Sequence, residues 1–197
     1  GSKDTVRLTD GTGAQVSANV NVVSGGPLSL SPQNPSIEES DSLQFSAAGG
    51  NAPNYTYSVV GDGSILATSG LYTAAGAVGS DVSEVSVSDG TDVVSTFVTV
   101  VPAAPTNLLA DGSAGDNDEI LLTWNDNSAV EDGYAIQYRP SSGSYSAPIT
   151  VPADSTSYMV DGLSPSPTVL YIFRVYAYTN DPLQSEYSNE AYDFANP

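Results

Sequence analysis

Short runs of alternating apolar and polar residues constrain this chain more than any other feature. Between residues 28 and 101 they fall at 28–30, 42–47 (SLQFSA), 55–60 (YTYSVV), 65–72, 82–88 and 93–101. Turn-forming residues separate them at Pro32, Pro35, 49–50, 61–63 and 89–90. No window carries a 3.6-residue apolar period long enough for a stable helix. Short strands at regular spacing predict an antiparallel β-sandwich.

Two segments of the chain are similar to one another. Residues 5–12 (TVRLTDGT) match residues 84–91 (EVSVSDGT), and residues 16–23 (VSANVNVV) match residues 94–101 (VSTFVTVV). Two alternating runs around Asp-Gly are a strong β-hairpin signal. The repeat distance is the length of a small sandwich domain, so we interpret residues 3–26 as the last hairpin of a preceding domain plus a linker. Chance similarity between two ordinary hairpins is the alternative, and residues 1–2 (GS) match the scar of a removed tag.

The segment of about residues 28–101 carries a resemblance to a known family. The strings LQFSAAGGNAPNYTYSVVGDGSI, SGLYTAA and VSVSDGTDVVSTFVTV follow one another along this segment. Together they resemble a bacterial immunoglobulin-like repeat, a family that occurs in tandem arrays on large secreted and surface proteins. The resemblance implies one complete immunoglobulin-like sandwich here.

Residues 101–105 (VPAAP) form the next predicted boundary, because each proline fixes its own φ and restricts the residue before it. Beyond it lie nine of the chain's 12 tyrosines. The pattern of this second segment is PTNL (105–108), ILLTW (120–124), GYAIQYR (133–139), TSY (156–158), GLSP (162–165), YIFRVYA (171–177) and SEYSN (185–189). It is similar to a fibronectin type III domain over about residues 103–193.

That resemblance assigns structural roles to three residues. Trp124 corresponds to the buried tryptophan of the second strand, Leu163 to the leucine before the sixth strand, and Tyr171 to the tyrosine of the corner motif. The spacing from Leu163 to Tyr171 is longer than the family usually has, because SPSP (164–167) enlarges the corner. We therefore expect an all-β chain in which two tandem antiparallel immunoglobulin-like β-sandwiches, 27–101 and 102–197, are joined by a short proline-containing linker.

Composition excludes most catalytic chemistry. The chain has no histidine and no cysteine, which rules out histidine-based triads, thiolate nucleophiles, disulfides and zinc sites of the His/Cys type. Carboxylate pairs that act on glycosidic bonds face each other across a cleft, and sandwiches this small fill their interiors with side chains. We expect no enzymatic activity. A formal net charge of −19 predicts no binding to nucleic acid, and the absence of a long apolar run predicts no membrane insertion within this segment.

Calcium is the one cofactor for which the sequence offers candidates, because calcium takes several loop oxygens. The densest acidic loop contains Asp111, Asp116, Asp118 and Glu119, and a second loop covers residues 126–132 (DNSAVED). A weaker group, residues 38–41 (EESD), could equally place repelling charges beside a strand edge. Neither of the first two loops has the spacing of a calcium-binding EF-hand. The alternative interpretation is that these are solvated polar loops and that the protein has no cofactor.

One sheet face of the second domain is a candidate partner-binding surface. Strand alternation places Arg174, Tyr176 and Tyr178 on the outward face of one strand and Arg139 on that of its expected neighbour. Tyrosine and arginine are enriched at binding hot spots, so this face could contact a protein or stack on a sugar. In the alternative, the arginines stack on tyrosines only to cover the sheet.

The sequence therefore predicts a non-catalytic spacer or adhesion segment of a larger secreted or cell-surface bacterial protein, monomeric as a fragment. Tandem sandwiches with proline-containing linkers form semi-rigid rods, and high negative charge keeps such rods soluble and extended. The first alternative is an accessory, glycan-binding region of a secreted polysaccharide-degrading enzyme. The second is an adhesin segment made rigid by calcium.

Overall fold

The computed structural model describes residues 3–9, 11–13, 15–21, 25–50, 55–76, 78–166 and 168–195. All the regular elements formed by these residues are β-strands. The expected all-β fold of tandem sandwiches is confirmed. Among the described residues we find no helix with the length and hydropathy that crossing a bilayer requires.

Eighteen strands are described. An N-terminal hairpin consists of β1 (Lys3–Thr9) and β2 (Gln15–Asn21). The first sandwich contains β3 (Ser29–Ser31), β4 (Ser36–Glu38), β5 (Ser42–Gln44), β6 (Ser46–Ala48), β7 (Thr56–Gly61), β8 (Ser64–Ile65), β9 (Leu71–Thr73), β10 (Gly79–Ser88) and β11 (Val93–Val101). The second sandwich contains β12 (Thr106–Asp111), β13 (Ile120–Asn125), β14 (Gly133–Pro140), β15 (Ile149–Pro152), β16 (Ser157–Val160), β17 (Leu170–Tyr178) and β18 (Ala191–Phe194).

The first sandwich encloses its core between two layers. One layer is the sheet β4-β11-β10-β7, in which β4 runs parallel to β11, and the other consists of β3-β6 and β5-β9-β8. Side chains from both layers form a single cluster of buried residues: Leu28, Leu30, Phe45, Tyr57, Tyr72, Ala74, Val85, Val87, Val98 and Val100. The alternation that predicted these strands thus points their apolar side chains into one shared interior.

Two runs in the first sandwich were each predicted to form a single strand, and both predictions were wrong. The 42–47 run is interrupted at Phe45, whose backbone N–H donates to the Gly70 carbonyl at 2.9 Å while its ring packs edge-on against Tyr72. The 65–72 run folds back on itself, because the Leu66 carbonyl accepts the N–H of Gly70 at 2.8 Å in a tight turn. Gly70 adopts φ +76°, which side chains disfavour and which alternation alone does not reveal.

The N-terminal hairpin has the same register as β10–β11. Val6 stands opposite Ala18 and Leu8 opposite Val16, as Val85 stands opposite Thr96 and Val87 opposite Val94 in the later hairpin. Residues 10–14 separate β1 from β2, whereas residues 89–92 separate β10 from β11, which accounts for the one-residue gap in the sequence repeat. Asp10, which begins the predicted turn, lies outside the described residues. Assignment of this hairpin to a preceding domain stays a prediction.

The second sandwich packs the sheet β12-β13-β16 against the sheet β15-β14-β17-β18. Its core is rich in aromatic side chains and contains Leu108, Ile120, Leu122, Trp124, Tyr134, Ile136, Val151, Val160, Leu163, Tyr171, Phe173, Val175, Ala177, Ala191 and Ala195. The enlarged corner keeps its hydrogen bond, because the Ser164 N–H donates to the Tyr171 hydroxyl at 3.0 Å.

Candidate functional site

The contact between the two sandwiches is built around Glu39, which is only 8% exposed. Its N–H donates to the Val101 carbonyl at 2.9 Å, so the pairing of β4 with β11 places Glu39 where the first sandwich ends. Its Oε1 accepts the N–H of Ala103 at 3.3 Å, the N–H of Ala129 at 3.1 Å and the hydroxyl of Ser128. One carboxylate of the first sandwich therefore accepts hydrogen bonds from the linker and from a loop of the second.

Neighbouring residues extend this contact. The N–H of Ala104 donates to Glu38 Oε1 at 3.2 Å, and Asn127 Nδ2 donates to the Ala104 carbonyl at 2.7 Å. Beside them is a groove of about 530 Å³ whose acidic lining is Glu38, Asp41 and Glu186. Burial raises the pKa of Glu38. From the 38–41 segment, whose calcium-binding or edge-protecting role stays a prediction, Glu38 and Glu39 accept hydrogen bonds from the linker or the next domain.

The predicted calcium loop between β12 and β13 does not converge on a common point. Asp111 Oδ1 accepts hydrogen bonds from the N–H and hydroxyl of Ser113, which lower the pKa of Asp111. Glu119 Oε2 accepts the N–H of Asp116 at 2.8 Å. Within the described residues, Asp111, Asp116, Asp118 and Glu119 form no group of three ligand atoms within 4.8 Å of one another. Asp111 and Glu119 cap local turns, and calcium binding by this loop stays a prediction.

The second predicted acidic loop contributes two of three converging carboxylates. The ligand oxygens of Asp126, Glu131 and Asp154 lie within 4.8 Å of one another. Each of the first two already has protein donors: Asp126 Oδ1 accepts the Tyr134 hydroxyl, and Glu131 Oε1 accepts the Asp154 N–H at 3.0 Å. Burial, followed by the hydrogen bond to Asp126, raises the pKa of Tyr134. Sequence reasoning missed Asp154 because β15 brings it from a separate part of the chain.

The predicted partner face is present, and the structure divides it into two parts. Gln137 stands opposite Arg174 in the β14–β17 register, and Ala135 opposite Tyr176. In the first part, which we call the arginine clamp, the Arg174 guanidinium carbon lies 3.8 Å from the Tyr145 ring centroid and 3.7 Å from that of Tyr187.

Hydrogen bonds complete the arginine clamp. Arg174 donates from Nε and Nη2 to Gln137 Oε1 at 3.1 and 2.8 Å, and Tyr187 donates its hydroxyl to the same oxygen. Arg139 pairs with Glu190 at 3.8 Å, and Glu190 also accepts the Tyr145 hydroxyl. The two arginines therefore cover the sheet. Sequence reasoning missed Tyr145, Tyr187 and Glu190 because they lie in loops, where strand alternation gives no direction.

The second part, which we call the tyrosine groove, lies beyond Tyr176. It has a volume of about 280 Å³, and Tyr176, Tyr178, Pro148, Thr150, Pro182 and Gln184 are among its lining residues. A Cβ on Gly133 would lie 2.8 Å from the Tyr178 hydroxyl oxygen, so glycine there lets the phenol lie across β14. Tyr176 packs edge-on against Tyr187 with ring centroids 5.2 Å apart.

Comparison with known proteins assigns the second sandwich. Residues 103–193 match the family model of the fibronectin type III domain. Residues 103–193 are a fibronectin type III domain. Such a domain is in general a non-catalytic module, and the arginine clamp and tyrosine groove both lie on its β14–β17 sheet.

Several solved structures are similar to the chain. A fibronectin type III-like protein from Clostridium thermocellum is 29% identical over 47% of this chain and 91% of its own, with a TM-score of 0.38. A multidomain segment of titin aligns with 98% of this chain and 74% of its own at 17% identity, with a TM-score of 0.39.

A chain from a cytokine receptor complex aligns with 87% of this chain and 97% of its own at 15% identity, with a TM-score of 0.52. This last likeness supports the fold alone. No curated protein matches the chain.

Proposed function

We propose that this chain is a non-catalytic spacer segment of a larger secreted or cell-surface bacterial protein, in which it holds neighbouring modules at a fixed distance and angle. The observation that carries the proposal is the Glu39 contact between the first sandwich and the fibronectin type III domain. Relative motion is the default for sandwiches joined by a short linker, unless specific contacts prevent it.

Glu39 supplies such contacts. A carboxylate that accepts hydrogen bonds from backbone and hydroxyl donors forms strong, directional interactions, and breaking them leaves a poorly hydrated charge and unpaired N–H groups. The linker adds stiffness, because Pro102 and Pro105, both buried, flank its two alanines.

The matching registers of the N-terminal hairpin and of β10–β11 favour an array of similar modules. In this interpretation the first sandwich is a bacterial immunoglobulin-like domain and residues 3–26 complete another one before it. The net charge of −19 suits such an array, since it keeps neighbouring chains apart and soluble.

The experiment compares Glu39→Ala with a matched control by residual dipolar couplings of the full chain. Glu84 of the first sandwich is the control position, because its Oε1 accepts a hydrogen bond from Ser95 within the same sandwich. We expect both domains of the wild type and of Glu84→Ala to report the same alignment tensor. In Glu39→Ala the two tensors separate while each domain keeps its own couplings.

Different tensors for the two domains of the wild type would overturn the rigid spacer. Equal tensors in Glu39→Ala would show that another contact fixes the angle, and the assignment of Glu39 would then be wrong.

A further inference from the structure

The tyrosine groove differs in charge from the groove beside Glu38, which has an acidic lining. None of its lining residues is an aspartate, glutamate, lysine or arginine: Ala135, Pro148, Thr150, Tyr176, Tyr178, Thr179, Pro182, Leu183 and Gln184. The chain has a net charge of −19, but this groove has no carboxylate that would repel an anion or attract a cation. Neutral and apolar ligands can both bind in such a groove, whereas an ion finds no opposite charge. The lining therefore favours an uncharged ligand.

The hydrogen-bonding groups of the groove are available. The hydroxyls of Thr150, Tyr176 and Tyr178 and the side-chain amide of Gln184 make no hydrogen bond within the described ranges. On the same sheet face, the polar groups of the arginine clamp bond to one another. One half of the face is thus internally satisfied, while the other half presents hydroxyl and amide groups that both donate and accept.

Tyrosine and proline rings line the groove. Tyr176 and Tyr178 line it on one strand, and Pro148 and Pro182 line it from the flanking loops. Aromatic faces bind the C–H faces of a ligand, while the surrounding hydroxyls and the amide bind its polar edge. A pyranose has both features, with C–H groups on its faces and hydroxyls around its rim.

We propose that the tyrosine groove binds a neutral saccharide, with a pyranose ring against Tyr176 and Tyr178 and its hydroxyls bonded to Thr150, Tyr178 and Gln184. A proline-rich peptide would also find ring walls here, but its tertiary amides offer acceptors only. The saccharide uses both the donors and the acceptors that the groove presents. This function goes beyond that of a spacer and does not depend on it.

The test is an NMR titration of the isotope-labelled full chain with uncharged hexasaccharides of glucose, mannose and xylose. An oligogalacturonate and a decaproline peptide serve as comparison probes. We expect at least one neutral hexasaccharide to shift the amide resonances of Ala135, Thr150 and Gln184, and the anionic oligogalacturonate to leave them unchanged.

Near-isosteric variants separate the groove chemistry from folding. Thr150→Val, Tyr178→Phe and Gln184→Met remove the three polar groups and keep the ring walls, and each single change lowers affinity about fivefold. The matched control is Tyr192→Phe, which removes a hydroxyl from a tyrosine that is 68% exposed outside the groove and leaves the affinity unchanged.

The proposal is overturned if no neutral hexasaccharide shifts the groove resonances, or if the shifts persist unchanged in a variant that combines Thr150→Val, Tyr178→Phe and Gln184→Met. Binding of decaproline alone would likewise replace the saccharide with a peptide ligand. The dipolar-coupling result for the wild type does not depend on this titration, so failure of the saccharide proposal is distinct from failure of the spacer function.

Discussion

The first sandwich and the fibronectin type III domain have similar two-layer architectures and are stabilised differently. In the first, one hairpin supplies four valines that are almost fully inaccessible to solvent: Val85, Val87, Val98 and Val100. In the second, buried aromatic rings contact one another, as Trp124 and Tyr134 do at 5.7 Å. Among the described residues the first sandwich has one such ring contact, Phe45 with Tyr72. Tyrosine hydroxyls bond to the backbone in both: Tyr72 donates to the Asp62 carbonyl, and Tyr171 accepts the Ser164 N–H.

This difference has a physical consequence. Valine packing depends on shape and volume and gives little directional specificity. Aromatic rings with a hydroxyl combine a large buried area with a hydrogen bond that fixes a loop. We therefore expect the fibronectin type III domain, which has more of these ring contacts, to hold its loops in place, including the 126–131 loop that binds Glu39. In the first sandwich we expect the four valines of one hairpin to contribute strongly to stability.

Trp124→Ala is expected to have the largest effect. Removing the buried indole lowers the stability of the fibronectin type III domain by about 4 kcal/mol through lost burial and a cavity. Scanning calorimetry of the full chain should show that transition shift to lower temperature, with the transition of the first sandwich retained. A matching shift in both transitions would contradict the separation of the two cores.

Val98→Ala tests the hairpin core of the first sandwich. Deleting two buried methyl groups lowers its stability by about 2 kcal/mol, measured by urea unfolding. Val93, on the same strand and 66% exposed, provides the control, and Val93→Ala should leave the midpoint almost unchanged. Equal losses for the two variants would show that the valine core does not dominate this domain.

Tyr171→Phe is expected to have the smallest effect and tests the hydrogen bond of the enlarged corner. It removes the acceptor of the Ser164 N–H and keeps the ring, so the fibronectin type III domain loses about 1 kcal/mol in the same urea experiment. Hydrogen exchange at the Ser164 amide should accelerate. An unchanged midpoint together with unchanged exchange would mean that the enlarged corner is held by packing alone.

Particular residues show how far the sequence predicted the fold. The Asp-Gly signal located the β10–β11 hairpin, and the alternation in YIFRVYA gave the correct faces of β17, where Tyr171 and Phe173 are buried and Arg174 and Tyr176 lie on the other face. The same alternation failed at Phe45 and Leu66. There the backbone turns because of pairing with Gly70, a partner that is distant from Phe45 in sequence.

The candidate sites were less predictable. Asp111 and Glu119 belong to an acidic loop that looked suitable for calcium, yet each accepts hydrogen bonds from its own turn. Arg139 and Arg174 were correctly placed on one face, but the rings and the carboxylate that engage them come from loops. Charge density in a sequence reports which groups are present and not the direction in which they point.

Local pattern and composition were enough to predict the strand class, the fibronectin type III domain at about residues 103–193 and the absence of histidine and cysteine chemistry. Tertiary structure alone decided that Glu39 accepts hydrogen bonds from the second domain and that the outward face of β17 divides into a clamp and a groove. Both outcomes depend on loops from distant parts of the chain. The orientation of a loop side chain depends on its tertiary contacts, and no periodicity in the sequence predicts those contacts.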